Sequence, residues 1–393
     1  MDIKKRALEI QDEVVANRRW LHQHPELGFA LDQTVAFVKE KLTEYGYTPA
    51  DCGDHGVTAT VGGKHGGKCI LIRADMDALP MKEESGLPFA AACDNAAHTC
   101  GHDTHTAMLL GAAKLLKEME DELPGTVKLM FQPAEEIMTG ARSMVEDGIL
   151  ENPHVDAALG THIMALLPAG QLHYAMGPMF ASCDMFTITI HGRGGHGSQP
   201  QNTVDPIAVG AHLVTALQTI NAREVAPGAV AVLTIGCFQA GAASNIIPAS
   251  ARLMGSIRTF DPEVRELVKQ RLADITEGTV KTFRAEADLV FDSETAALST
   301  DPATADLMGG AMKQILGADM VCDTLPPFSG SEDFAYVTQE VPSAFFAIGG
   351  APEDWPALPQ HNPRIRFRED AFVSGVAAYV GGALAWLEAN RQG

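Results

Sequence analysis

The stretch Val127-Lys128-Leu129-Met130-Phe131-Gln132-Pro133-Ala134-Glu135-Glu136 joins a short apolar run to two adjacent carboxylates. The same shape occurs twice more: Cys69-Ile70-Leu71-Ile72-Arg73-Ala74 runs into Asp75-Met76-Asp77, and Val155-Asp156-Ala157-Ala158-Leu159-Gly160 runs into Thr161-His162. Short apolar runs bounded by polar residues predict strands, and the helical patterns that alternate with them predict βα layering around a parallel or mixed sheet. In open α/β sheets the ligand crevice lies beyond the carboxyl ends of the strands. Three strands that end in titratable groups therefore predict a site at one sheet edge. Between the first two, Met108, Leu109, Ala112, Leu115, Leu116 and Met119 repeat with helical period. That spacing puts Cys100-Gly101-His102-Asp103 in the loop entering a buried helix.

Further out, the texture changes near Ala181. Residues 185–190 alternate as a half-buried strand and lead into the glycine-rich turn Gly192–Ser198. A helical stretch over 204–220 follows, then strands at Ala229–Phe238 and near Ala251–Arg258, then a charged helix from Pro262 to about Phe283. After Thr300 the first texture resumes, with a strand at Ala344–Ile348 and a last helix over 370–390. The fold class expected is two-domain α/β: a domain with a mixed sheet from 1–180 and 294–393, interrupted by a smaller α+β domain over 181–293.

Of the 393 residues, 46% are hydrophobic and 20% charged, enough for a sizeable core and about two domains. The formal charge of −21 argues against a nucleic-acid partner, because phosphate binding needs a basic surface. The first fifteen residues read as a charged amphipathic helix rather than a signal peptide, and no apolar stretch reaches the roughly 18 residues of a membrane span. A cytoplasmic protein with no membrane partner is the expectation. Seven cysteines without a C-x-x-C pair give neither a disulfide framework nor a zinc ribbon.

The segment His98-Thr99-Cys100-Gly101-His102-Asp103-Thr104-His105 packs three histidines, a cysteine and an aspartate into eight residues. Thiolate and imidazole suit borderline divalent metals, and ligands two apart in a loop can face one ion. Adjacent Glu135 and Glu136 suit a division of labour in which one carboxylate holds metal and the other moves a proton. Taken singly, Cys100 also reads as a buried thiol, His102 as a core histidine, the glutamates as a helix start favoured by the dipole, and His162 and His361 as ordinary histidines. Together, at strand ends and loops of one crevice, they point to a metal site. His22, His24, His105 and His154 are left with structural roles, His105 as a residue that orients a ligand.

Arg-Ala-Asp-Met-Asp-Ala-Leu-Pro (73–80), His-Thr-Cys-Gly-His-Asp (98–103), Phe-Gln-Pro-Ala-Glu-Glu (131–136), Gly-Thr-His (160–162), Gly-Gly-His-Gly-Ser (194–198), Ser-Gly-Ser-Glu-Asp-Phe (329–334) and His-Asn-Pro (361–363) stand in one order along nearly the whole chain. That set resembles the aminoacylase/carboxypeptidase metallohydrolases, in the branch of hippurate hydrolase, N-acetyl-diaminopimelate deacetylase and the auxin-conjugate amidohydrolases. The resemblance implies hydrolysis of small N-acyl amino acids at two divalent ions held by Cys100, His102, Glu136, His162 and His361, with Glu135 as general base and acid. It implies that the inserted domain is a lid and a homodimerisation domain, and that His196 reaches the partner's site to share the oxyanion's charge. Where the wider family has a ligand histidine this chain has Asp75, which inherits no ligand role. Asp77 is expected to orient a metal-binding histidine, though it reads equally as a structural turn. Asn245, Arg258 and Gly330 are placed near the substrate carboxylate, with a surface ion pair as the plainer reading of Arg258. Thiolate plus imidazole fits zinc, while manganese, cobalt or nickel also support such sites. The competing readings are a metallo-dipeptidase or carboxypeptidase of the same fold, a thiol hydrolase with Cys100 as nucleophile, and a non-catalytic scaffold.

Overall fold

Every residue of the strand Cys69–Asp75 is buried, and it lies in the middle of an eight-stranded sheet. The order across that sheet is Ala50–Asp51, Val57–Gly62, Thr126–Gln132, Cys69–Asp75, Ala157–Met164, Ser343–Gly349, Leu172–His173 and Val321–Cys322. The four central strands are mutually parallel, and antiparallel pairs appear only towards the two edges. Parallel strands covered on both faces read as continuous apolar runs, which is why these were visible in the sequence. Their register sets Asp75 opposite Gln132, and His162 opposite Ala347. The carboxyl ends of all four central strands therefore open at the same edge.

The computed structural model describes residues 1–391. Two units separate within it: Met1–Met179, Ser299–Pro326 and the chain from Asp333 onward form the first, and Phe180–Leu298 with Pro327–Glu332 form the second. The expected end of the insertion at residue 293 is wrong by a few residues. A strand not anticipated from the sequence, Glu286–Thr295, pairs antiparallel with Cys183–His191, so the chain leaves that unit only after Leu298. Its side chains alternate between exposed and half-buried, and such an edge strand carries little apolar signal. The second unit's sheet has the order Ala231–Ala240, Ser250–Thr259, Cys183–His191, Glu286–Thr295. Phe186, Ile188, Leu213, Leu253, Ile257 and Leu272 belong to its separate core, to which the helices Pro206–Thr219 and Pro262–Thr282 contribute.

In the first unit, the helix His102–Glu118 is buried along nearly its whole length. It packs against the helices Gln11–Gln23 and Phe372–Ala389, and so it is buried on nearly every side rather than along one stripe. The segment Glu369–Ala389 is, contrary to expectation, long and apolar enough to cross a membrane. Because 83% of its most apolar window is buried inside the protein, it is a core helix.

A buried ion pair clamps these helices together. Arg18 Nε donates to Asp103 Oδ2 at 2.8 Å, and His22 Nδ1 lies 2.7 Å from the same oxygen, with the Arg18 and Asp103 side chains at most 1% exposed. Burial alone would raise the Asp103 pKa, but Arg18 and His22 hold it far below the usual carboxylate range. His24 Nδ1 donates to the Trp20 carbonyl at 2.7 Å, and His154 sits exposed beside Glu151. Truncating Asp103→Ala strands a buried guanidinium. Urea denaturation should show a loss of about 3–5 kcal/mol, against under about 1 kcal/mol for removing the exposed partner of Arg142, Glu146→Ala.

Candidate metal centre

The loop ending in Cys100 turns sharply into the helix that begins at His102, so His102 to His105 form the first helical turn rather than the entering loop. The turn is made at Gly101, whose φ is +106°. A Cβ there would stand 2.5 Å from Ile163 Cγ2, so only glycine fits between the two candidate ligands.

Cys100 Sγ lies 3.3 Å from His162 Nε2. His162 is inside a strand that continues to Met164, not beyond a strand end as the sequence suggested, because Ser343–Gly349 pairs with it throughout. Its Nδ1 donates to the Ile163 carbonyl at 2.7 Å, which leaves Nε2 as a lone-pair donor facing Cys100. His102 is set the same way: Nδ1 donates to the Asp77 carbonyl at 2.9 Å, and Nε2 points at Glu135 Oε2 and Glu136 Oε1, 3.7 and 3.8 Å away. Metal-binding histidines usually donate their second ring N–H in this manner. His361, half exposed and strained at φ +66°, has its Nε2 3.5 Å from Glu136 Oε2. Ligand atoms of Cys100, His102 and His162 lie within 4.8 Å of one another, as do those of Cys100, Glu136 and His361. Two donor triads thus share Cys100.

Both His102 Nε2 and Glu136 Oε1 are buried without a hydrogen-bond partner. A buried polar atom left so costs about 1–3 kcal/mol, and a cation between them would satisfy both. The electrostatics agree with that fit. Burial, with the charges of Asp77 and Asp75, pushes Glu136 up to about 7 despite His102, and burial pushes the Cys100 thiol well above its ordinary value. His102 is driven the other way from burial by Asp75 and Cys100 and holds its proton well above 6.5, while burial and His105 hold His162 well below. A pocket whose thiol and carboxylate both resist ionising has a deficit of positive charge.

The residues around the donors are fully engaged. Asp75 accepts from Arg73 Nη1 at 2.8 Å and from His105 Nδ1 at 2.6 Å. Burial would raise its pKa, but Arg73, His102 and His105 hold it well below the usual carboxylate range. His105 Nε2 accepts the Ile163 amide at 2.7 Å, so Asp75 and His105 together hold the residue whose carbonyl takes the His162 proton. Asp77 holds His102 chiefly through its backbone oxygen, with Oδ1 3.5 Å from Nδ1 of that ring, and its carboxylate also accepts the amides of Glu135 at 3.0 Å and Glu136 at 3.2 Å. The glutamate loop has a non-glycine residue at positive φ on each side of the pair, Ala134 at 53° and Met138 at 58°, strain of the kind that collects at functional sites.

A model of peptidase family M20/M25/M40 matches residues 71–384. This chain belongs to that family. An N-acetyl-L-cysteine deacetylase of Bacillus subtilis is 38% identical over 385 residues, which cover 98% of this chain and 90% of the deacetylase. An N-acyl-L-amino acid amidohydrolase of Geobacillus stearothermophilus is 41% identical over 293 residues, 74% of this chain and 79% of that protein. A dinuclear metal-binding M20 peptidase from Bacillus subtilis, solved by crystallography, superposes with a TM-score of 0.83 at 33% identity, covering 97% of this chain and 99% of its own. As an M20/M25/M40 member the chain is a metal-dependent hydrolase.

The remaining candidates lie in the second unit. His196 is exposed, in a two-residue strand where it lies opposite Ile246, and the next residue, Gly197, donates to the Asn245 carbonyl. Ser198 N–H donates to His196 Nδ1 at 3.1 Å, so the ring proton sits on Nε2. Arg258 has no acid partner among the described residues; Nη1 donates to the Ser329 carbonyl and Ser331 Oγ, on either side of Gly330. Sequence reasoning gave no role to Arg73, Gln132 or Asp333. Charged residues inside a wholly buried strand, as at Arg73 and Asp75, were the available signal.

Two outcomes follow for this centre. Gly101→Ala should lower stability by about 1–3 kcal/mol and reduce bound metal, read by thermal unfolding and elemental analysis. Burial pushes His98 down to about 3, and neither ring nitrogen has a partner. The unfolded chain takes up this proton below about pH 6.5 while the folded chain does not, so the group's stabilising contribution is present above that pH and is lost as pH falls towards 3. Between pH 7 and 4 the unfolding free energy of His98→Phe should therefore fall less steeply than that of the parent, by at most about 1.4 kcal/mol per pH unit.

Proposed function

We propose that this enzyme hydrolyses the amide bond of small N-acyl amino acids, releasing a carboxylic acid and an amino acid, at two divalent ions held by Cys100, His102, Glu136, His162 and His361. The observation that carries the reading is the pair of donor triads sharing Cys100, with Glu135 beside them. Relatives that act on N-acetyl and N-acyl amino acids along most of the chain supply the substrate class. Zinc, manganese, cobalt or nickel ions would polarise the amide carbonyl and lower the pKa of water towards 7.

The chain's own groups do the rest. Glu135, its backbone locked by Asp77, takes the proton from the attacking water and hands it to the leaving nitrogen, a step commonly worth roughly 10²–10⁴-fold. His196, with its proton on Nε2, is set to donate to a developing oxyanion, and the resemblance supports its reaching the site of a partner subunit in a homodimer formed by the inserted unit. Arg258, Asn245 and the exposed backbone at Gly330 take the substrate carboxylate. A thiol mechanism is disfavoured because burial keeps Cys100 protonated, whereas a nucleophilic cysteine needs a lowered pKa. Seven free cysteines support a reducing, cytoplasmic setting.

The test is amide hydrolysis of an N-acetyl, N-benzoyl and free-dipeptide panel by chelator-stripped enzyme, before and after each metal is restored. Activity should return with metal, on N-acyl amino acids; turnover confined to dipeptides would make the enzyme a peptidase, like its dinuclear relative. Glu135→Gln should lose at least about a hundredfold in kcat while retaining metal, whereas Glu136→Ala and Cys100→Ala should lose metal. Full activity in Glu135→Gln would remove it from the mechanism.

A further inference from the structure

The segment 133–140 carries Glu135 and Glu136, and both of its ends lead to one carboxylate. At its start, Gln132 Nε2 donates to Asp333 Oδ1 at 2.6 Å; at its end, the Ala141 amide donates to Asp333 Oδ2 at 2.9 Å. Arg73 Nη2 donates to Oδ1 at 3.2 Å, and Arg73 Nε donates to Gln132 Oε1 at 2.7 Å. Asp333, Gln132 and Arg73 are wholly buried. With the Asp77 carboxylate holding the middle of the segment by the amides of Glu135 and Glu136, the glutamate pair hangs from two carboxylates.

Resting on the function proposed above, we propose that Asp333 is a positioning residue for that reaction: it closes the 133–140 segment into a rigid loop and so sets the reach of Glu135. Two features make the carboxylate irreplaceable. Its two oxygens face donors on different chain segments, and it supplies an anionic partner to a guanidinium that also pairs with Asp75. An amide in its place has one acceptor and one donor. Turned either way, Asn sets its NH2 against an N–H, of Ala141 in one orientation and of Gln132 and Arg73 in the other, and one end of the loop comes free. Asp333 is also the first residue of its unit after the chain leaves Pro327–Glu332, so the chain re-enters the first unit at this anchor.

A displacement of about 1 Å in a catalytic group can cost about a hundredfold in rate. Asp333→Asn should therefore lower kcat by about ten- to a hundredfold per folded, metal-loaded molecule while KM changes less than about threefold. Gln132→Met, which frees the loop's first end without disturbing Ala141, should show the same split. The double variant should be no slower than the slower single, because both changes release one loop. Amide hydrogen exchange across residues 134–140 should speed up in both variants. That readout needs no substrate, so it separates failure of this inference from failure of the proposed activity: a parent enzyme inactive on the whole panel leaves the exchange prediction standing on its own. Parent-like exchange in the loop, parent-like kcat in folded Asp333→Asn and Gln132→Met, or failure of both variants to fold would overturn the positioning role.

Discussion

The guanidinium of Arg73 lies in the middle of a strand with no exposed side chain, and Asp75, Gln132 and Asp333 among its partners lead to two parts of the site. A cation so far from water is sustainable only if fully paired, and its partners are the residues that organise the chemistry. Asp75 leads through His105 and the Ile163 peptide to His162. Gln132 and Asp333 lead to the loop of Glu135 and Glu136. Remove the charge and two buried carboxylates are left facing each other across the sheet edge.

The donors are arranged on the opposite principle. Where the framework is tied up in hydrogen bonds, two atoms among the candidate ligands, His102 Nε2 and Glu136 Oε1, are buried without partners. The contrast is physical rather than incidental. Framework lone pairs are spent on N–H groups, while the candidate ligand atoms face one another, Cys100 Sγ towards His162 Nε2 and His102 Nε2 towards Glu136. His102 and His105 lie within one helical turn and differ in this respect: Nε2 of His105 accepts a backbone amide, and that of His102 has no hydrogen-bond partner.

Much of this was open to a reader of the sequence. Buried parallel strands announce themselves as apolar runs, Glu135 and Glu136 follow one of them within four residues, and Cys100 and His102 stand in a dense His/Cys cluster at the start of a helix, so the site's edge and its candidate donors were legible. What stayed hidden depends on pairing across long separations. Arg73 and Asp333 are 260 residues apart, Gln132 and Asp333 201, and nothing local to Ser-Glu-Asp-Phe marks its aspartate as an anchor. Asp77 does hold His102, as the sequence suggested, but mainly through its backbone oxygen, and its carboxylate has a second task at the amides of Glu135 and Glu136 that side-chain chemistry alone did not suggest. The strand Glu286–Thr295 escaped notice because an edge strand exposed on alternate residues has no apolar run to show.

The hydroxyl of Tyr379 donates to the Arg73 carbonyl at 2.7 Å and accepts from Thr161, the residue before His162. That tyrosine belongs to the helix Phe372–Ala389, which comes last among the elements of the first unit. During synthesis, a chain that has emerged through His162 already holds four of the five donors, yet it lacks the helix that seals their strands against each other. Ligands on unpacked strands hold an ion weakly, since site formation and folding draw on the same free energy. The order of the sequence therefore places last the helix that holds these two strands together, so the candidate donors are fixed relative to one another only when the polypeptide is nearly finished.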